Sequence, residues 1–532
     1  MRHGPHRHAP GRRALILCLL IGRGTTASIA AQTRDWRIGD RAVIGPFSNI
    51  TSVAASSERV YATSPATLLV WNLQWRRWEG PFDGPPGALD NVFAALVDPL
   101  DQTYWGARPD GWVHFDPRLV FWEVGSATDR VIDIAFDLDQ PAAGLFLRTT
   151  RGWQRASRGT TIATPSAAPR RPLRPPTVVD AIRDAPALAA NASAILLDPR
   201  MRPARFTAAA RAFGDLGWFL GTSGVGLLHL PLGAAIPERM PFGLPGEIAG
   251  AVFAAPGGVW VATDESPVAD AAVTFVASDL SAFRVLQGPR ATGLPFHRVY
   301  RLAGRDRDLW AATDVGVARI PTDGGAVETF DEGRGVPDRR VLSIAARGNR
   351  VLIGTAHGVA ALDTAGFSRL APDYHDQALA VQSSGDTVWV GTPFGIFALL
   401  PGDNDLGQPA GLSGDRAFEV PVVALSWLGD TLVGLTQDRL LWRSPGSGAW
   451  TLGPLLSGTL GKLRALVPFE NGFYVGGERG FGYVRLSSPP IRPLFAPGDL
   501  PGEVYDLAID GEYLWTATAH GLVRWRLEAV RP

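Results

Sequence analysis

Beyond the N-terminal segment the chain has His114, His229, His297, His357, His375 and His520, and with the carboxylates these are the residues that could carry acid–base or metal chemistry. A hydrolase or lyase would need several of them to converge with Asp or Glu at one mouth, where an imidazole takes the proton and a carboxylate orients it. Their settings argue for turns instead. His357 and His520 both stand in Ala-His-Gly, and His375, flanked by Asp373 and Asp376, fits an exposed loop as well as a metal or catalytic site. Pro401-Gly-Asp-Asn-Asp405 followed by Gly407 offers oxygen ligands suited to calcium but lacks the later Glu of a calcium loop. The single cysteine, Cys18, excludes zinc spacing and disulfides. Gly243, Gly293 and Gly335 each lie two residues before a proline, which has no N–H to offer a phosphate. No catalytic, cofactor-binding or metal residue is assigned on this basis, and no cofactor is expected.

The elements that would position any such residue come from an internal repeat. Trp218-Phe-Leu-Gly-Thr222 returns as Val259 to Thr263, Leu309 to Thr313, Val351 to Thr355, Val388 to Thr392, Thr431 to Thr436, Phe473 to Gly477 and Leu514 to Thr518. The closing residues are 41, 50, 42, 37, 44, 41 and 41 apart. Weaker copies end near Thr63, Ala107 and Thr149, giving eleven in all. Each copy has an apolar stretch, a polar turn, an aromatic-led strand, a small residue, an alternating strand and an aromatic segment. Four short strands fill ~42 residues, the length of one propeller blade. The sequence therefore predicts an all-β chain of four-stranded blades. In it, Gly or Ala of the second strand lets sheets approach, Trp260, Trp310, Trp389 and Trp515 fill the core between blades, and the closing Thr bonds the next turn.

The last copy stops after three strands near Leu527, while residues 35–44 look like an orphan fourth strand able to close a ring. Eleven blades exceed the usual four to eight of one ring, so two rings are expected. The long spacing across Asp264 to Val273 suggests 34–285 with about five blades and 286–528 with about six. Between Thr149 and Thr222 the spacing is 73, and the excess reads as a Pro/Arg-rich linker, Pro165 to Pro176, leading into one or two short helices over Val178 to Leu197 broken by Pro186. The insertion spans 160–205; a decayed twelfth blade is the alternative.

The unit Leu-Trp-x-x-Thr-x-x-Gly-Val-x-Arg, at Leu309 to Arg319 and Leu514 to Arg524, resembles the two-component regulator propeller repeat, and the match recurs from about residue 50 to 527. The resemblance implies an extracytoplasmic, sensor-type propeller, often in tandem rings and joined through a membrane span to a kinase or similar output module. No span or kinase follows Pro532 here, so a complete transmembrane receptor is not expected. A repeat specifies fold better than task. A quinone-dependent propeller dehydrogenase is disfavoured because its repeated Gly-Lys-x-x-Trp unit cannot come from the lone Lys462.

Composition fits this picture. Gly 61 and Pro 43 in 532 residues, beside 46% hydrophobics, disfavour both helices and disorder. The charge of 51 basic against 51 acidic balances only because five arginines precede residue 32; without them 46 stand against 51. A slightly acidic chain has no electrostatic reason to bind nucleic acid. Those arginines, the apolar run Ala14 to Ile21 and the small residues through Ala31 have the order of a cleavable secretory signal at 1–31, too short to span a membrane. The expectation is a periplasmic or secreted, non-enzymatic propeller that binds an unknown protein, glycan or small ligand, sensor-like or as a scaffold. The alternative is a propeller hydrolase or lyase with a rim active site on a glycan or small molecule.

Overall fold

The computed structural model describes residues 39–531, apart from 66, 86, 199–200, 267–268, 288–295, 306, 348–349, 364–365, 413–415, 445–447, 487–491 and 494–499. The expected signal segment, Trp36 and Gly293 lie outside them. Alternation of apolar residues with short Gly-bearing turns gives antiparallel hairpins, and the blade at 299–330 shows the unit. Its strands Val299–Arg305, Asp308–Thr313, Gly316–Pro321 and Glu328–Phe330 pair in order. Trp310 stands opposite Arg319, whose guanidinium lies 5.8 Å from the indole centroid and bonds Asp308 at 2.7 Å. Buried Thr313 donates its hydroxyl to the Gly316 carbonyl at 2.8 Å and accepts the Val315 N–H at 3.2 Å, tying strand to turn. The same pair of bonds recurs at Thr355, Thr392 and Thr518, as the repeat predicts. Trp260, Trp310, Trp389 and Trp515 are all buried.

Among the described residues eleven sheets, nine with four strands, one with three and one with five, form a multi-blade β-propeller architecture. Numbered in chain order, blade 1 is 52–83, blade 2 94–126, blade 3 131–173, blade 4 206–240, blade 5 249–287, blade 6 299–330, blade 7 341–370, blade 8 380–399, blade 9 422–455, blade 10 463–493 and blade 11 504–526. The expected closure is present. Strand β1 (Arg41–Ile44) pairs antiparallel with Gly521–Arg526 and supplies the fourth strand of blade 11. Small residues in the second strands bring blades together as expected: a methyl group at Gly391 would sit 2.7 Å from the Val422 carbonyl oxygen of the next blade.

First strands pack in succession through blades 5, 6, 7, 8, 9, 10 and 11, and blade 11 returns to blade 5. All seven line an axial channel of about 440 Å³. Blades 4, 1, 2 and 3 pack in that order as a second group. This differs from the boundary near 285, which put blade 5 with the N-terminal blades. The long spacing arises within blade 5, where residues 264–271 connect its second and third strands, and it marks no change of ring. Pro165 to Pro176 is likewise not all linker: Thr164–Ser166 is the fourth strand of blade 3, and Pro172–Leu173 pairs with its first strand.

The predicted helices are α1 (Val178–Asp184) and α2 (Ala187–Ile195), with Pro186 as the N-cap of α2. Thr177 and Asp180 form a capping box at α1. Ala181 and Leu188 pack on Trp218 and Leu220 of blade 4, whose other face presents Phe219 and Gly221 towards blade 1. The insertion thus covers a blade face rather than forming a twelfth blade. One apolar cluster joins the two groups through Phe47, Trp78 and Leu244, and the Trp78 indole donates to the Pro241 carbonyl at 3.2 Å.

Candidate functional site

A cleft of about 1190 Å³ opens between the two blade groups. Its walls come from blades 1 and 4, from β1 and the loops of blades 5 and 11, and from Asp198 and Arg202–Ala204 beside the insertion. Leu69, Val225, Met240 and Phe242 give it apolar surface, and Phe242 belongs to an aromatic run with Phe47 at 5.3 Å, Trp78 at 4.6 Å and Phe283 at 4.6 Å. Charged groups stand around this surface. Arg202 bonds Asp198 at 2.7 Å, Arg239 donates to the Leu197 carbonyl at 2.7 Å, and His520 faces Glu247 at 3.9 Å. Burial raises the Asp83 carboxyl to about 6, against the pull of Arg41 at 3.7 Å. Apolar walls with a few oriented polar groups are the usual make-up of a ligand site.

The histidines do not meet. His114 is buried in blade 2, held between Glu123 at 2.7 Å and Thr103 at 3.0 Å, and burial lowers its pKa although Glu123 opposes the shift. His229 stacks on Phe219 and bonds the Leu216 carbonyl at 2.7 Å. His297 pairs with Glu265, His357 with Asp338 at 2.8 Å, and His375 accepts from Arg369 at 2.7 Å. His357 and His520 are turn residues whose N–H groups bond the preceding Thr355 and Thr518. Asp373 and Asp376 are exposed. The Asp403 segment forms a turn, after which Gly407 bridges Ala398 at the edge of blade 8. Among the described residues no three His, Cys, Asp or Glu side chains gather to share a metal ion.

In the seven-blade group, charged pairs on the rim link neighbours. Arg298 of blade 6 reaches Asp264 of blade 5 at 3.3 Å, and Arg464 of blade 10 reaches Glu503 ahead of blade 11 at 2.9 Å. Asp264 is raised to about 6 by burial, with Arg298 opposing. Within the axial channel Asp506 accepts the Val252 N–H at 3.0 Å, and burial raises its pKa against the pull of Arg301.

Sequence reasoning missed the cleft. Asp83, Arg239 and Phe242 belong to different copies and share no motif; the packing of blade 4 against blade 1 brings them to one cleft. The one available signal was the Gly243-Leu-Pro245 closure, which lines the cleft.

No protein-family model and no curated relative matches the chain. Among solved structures it is similar to the extracellular domain of a hybrid two-component system from B. thetaiotaomicron, at 11% identity and a TM-score of 0.40, covering 90% of this chain and 69% of that one. The WD40 propeller domain of Doa1 gives 12% identity and a TM-score of 0.42, with 53% and 93% covered. YCF48, solved with a D1 peptide, gives 14% and 0.41, again with 53% and 93% covered. At these identities the likeness concerns architecture and carries nothing about ligand or activity. Among the described residues no helix is long and apolar enough to cross a membrane.

Proposed function

We propose that this chain is an exported, periplasmic or secreted β-propeller that binds a ligand or partner protein in the cell envelope, as a sensor-like or scaffolding component, and that the cleft between its blade groups is the binding site. The observation that carries the reading is the cleft itself: about 1190 Å³, walled by both groups and the insertion, with apolar surface beside Asp83, Arg239, Glu247 and His520. A ligand held there would touch Leu69 and Met240 of the four-blade group together with Val43, Val285 and His520 of the seven-blade group, so binding would couple the two groups. Export is supported by the order of arginines, apolar run and small residues within 1–31.

The test is a thermal-shift screen of periplasmic metabolites and envelope extracts on wild type and on Val225→Trp, which fills the cleft from a partly exposed position. Ligands that raise the melting temperature of wild type should leave the variant unmoved. Hits that stabilise both alike would remove the cleft as the site, and hits converted to product would favour the hydrolase or lyase alternative.

A further inference from the structure

The residue just before the first strand is arginine in four blades: Arg130 in blade 3, Arg205 in blade 4, Arg298 in blade 6 and Arg340 in blade 7. In each, its carbonyl accepts the N–H of the residue that follows the second strand, namely Thr150, Ser223, Asp314 and Ala356. The four positions are therefore equivalent. In blades 6 and 7 the guanidinium has an acid, Asp264 at 3.3 Å and Asp338 at 3.9 Å. In blades 3 and 4 it has none: among the described residues the guanidinium of neither Arg130 nor Arg205 has a hydrogen-bond or ion-pair partner, and both residues are exposed. The neighbouring Asp129 is engaged by Arg151 at 3.2 Å. Where blade 6 carries Asp314, blades 3 and 4 carry the uncharged hydroxyls of Thr150 and Ser223.

Both arginines line a funnel of about 980 Å³ between the ends of blades 1 to 4. Among the described residues its lining contains no Asp or Glu. It does contain the amides of Asn49 and Asn91, and two apolar side chains unusually open to solvent, Phe93 at 38% and Ile132 at 48%. Two uncompensated cations over apolar surface, in a chain with excess acid outside residues 1–31, are complementary to an anion with an apolar body.

We propose that this funnel, which meets the cleft at Asn49 and Ser223, is a second binding site, for a small organic carboxylate whose head is held by Arg130 and Arg205 and whose apolar body lies on Phe93 and Ile132. Guanidinium forks suit carboxylate oxygens, and the aromatic and aliphatic surface supplies the affinity that an exposed charge pair alone lacks.

Calorimetry on the full chain with benzoate and octanoate, with acetate as head alone and benzyl alcohol as body alone, tests this. Benzoate or octanoate should bind saturably and the two controls much more weakly. Affinity should fall as sodium chloride rises from about 50 to about 500 mM. Arg130→Ala with Arg205→Ala should weaken binding about ten-fold or more. Thr150→Asp with Ser223→Asp restores the acid that blade 6 has at this position, so it should abolish binding while the melting temperature holds, guarding against a variant that merely misfolds. Val225→Trp in the cleft should leave carboxylate binding intact. The assignment is overturned if neither carboxylate saturates, if the arginine and aspartate variants bind as wild type does, or if only the cleft variant loses binding.

Discussion

A threonine hydroxyl at the end of the second strand is the smallest unit that makes this chain a propeller. At Thr149, Thr222, Thr313, Thr355, Thr392, Thr436 and Thr518 it stands at the mouth of the turn and occupies both backbone groups that the turn would leave unpaired, as Thr313 does with Gly316 and Val315. Thr313→Val should cost about 1–2 kcal/mol in urea denaturation, because a buried carbonyl and N–H lose their partner, whereas Thr313→Ser keeps both bonds and should cost less. Thr263 provides the internal control. Its hydroxyl is buried with no partner, because residues 264–271 replace the tight turn, so Thr263→Val should be neutral or stabilising. Equal losses at the two positions would show that methyl packing, not the hydroxyl, is what the position selects. These bonds were legible from the sequence because they are local: donor, acceptor and turn lie within four residues.

At the level of elements, β1 decides whether the seven-blade group is closed. Ala42 and Ile44 are buried, and the strand covers the edge of Gly521–Arg526 that would otherwise present unpaired N–H and C=O groups. Ile44→Asp should destabilise by on the order of 3 kcal/mol, the cost of exchanging a buried aliphatic side chain for an unpaired charge. A chain beginning at residue 46 should aggregate on its open edge, and a peptide spanning 39–46 added in trans should restore the melting transition. Failure of the peptide to bind would mean that β1 contributes through its connection and not its pairing. The orphan strand could be foreseen because it carries a fourth-strand pattern with no hairpin partner. The helices were foreseen from Ala and Leu around Pro186, but their place against blade 4 was not, since Ala181 and Leu188 could have packed on any blade face.

Across the whole molecule, the contact between blade groups includes the ion pair of Arg41 in β1 with Asp83 in blade 1. Burial lifts Asp83 from 3.8 to about 6, so the native state takes up its proton more readily than the unfolded chain. Its contribution is fully favourable below the ordinary carboxylate range and is lost as pH rises through about 6. Asp83→Asn should therefore raise the melting temperature relative to wild type at about pH 7.5, by an amount corresponding to ~1 kcal/mol, with the gain shrinking towards about pH 5. The moderate figure reflects the 21% of the Asp83 side chain still open to the cleft, where water screens it. A gain independent of pH would show that the carboxyl is not ionised against burial.

The sequence by itself determined the eleven repeats, most of their strands, the Thr and Trp chemistry inside them and the strand that closes blade 11, though not the fourth strand of blade 3, which reads as linker. All of this rests on contacts within one repeat or between patterns that repeat identically. Only the tertiary structure decided which blades are neighbours. Small residues such as Gly354, Gly391 and Gly476 look alike in every copy, so each would accept any blade, and the long loop of blade 5 imitated a boundary. The sites follow from that grouping. Arg205 and Arg298 occupy the same position in the repeat, and what separates a free cation in a funnel from a rim ion pair is whether a neighbouring blade brings an acid such as Asp264 within reach.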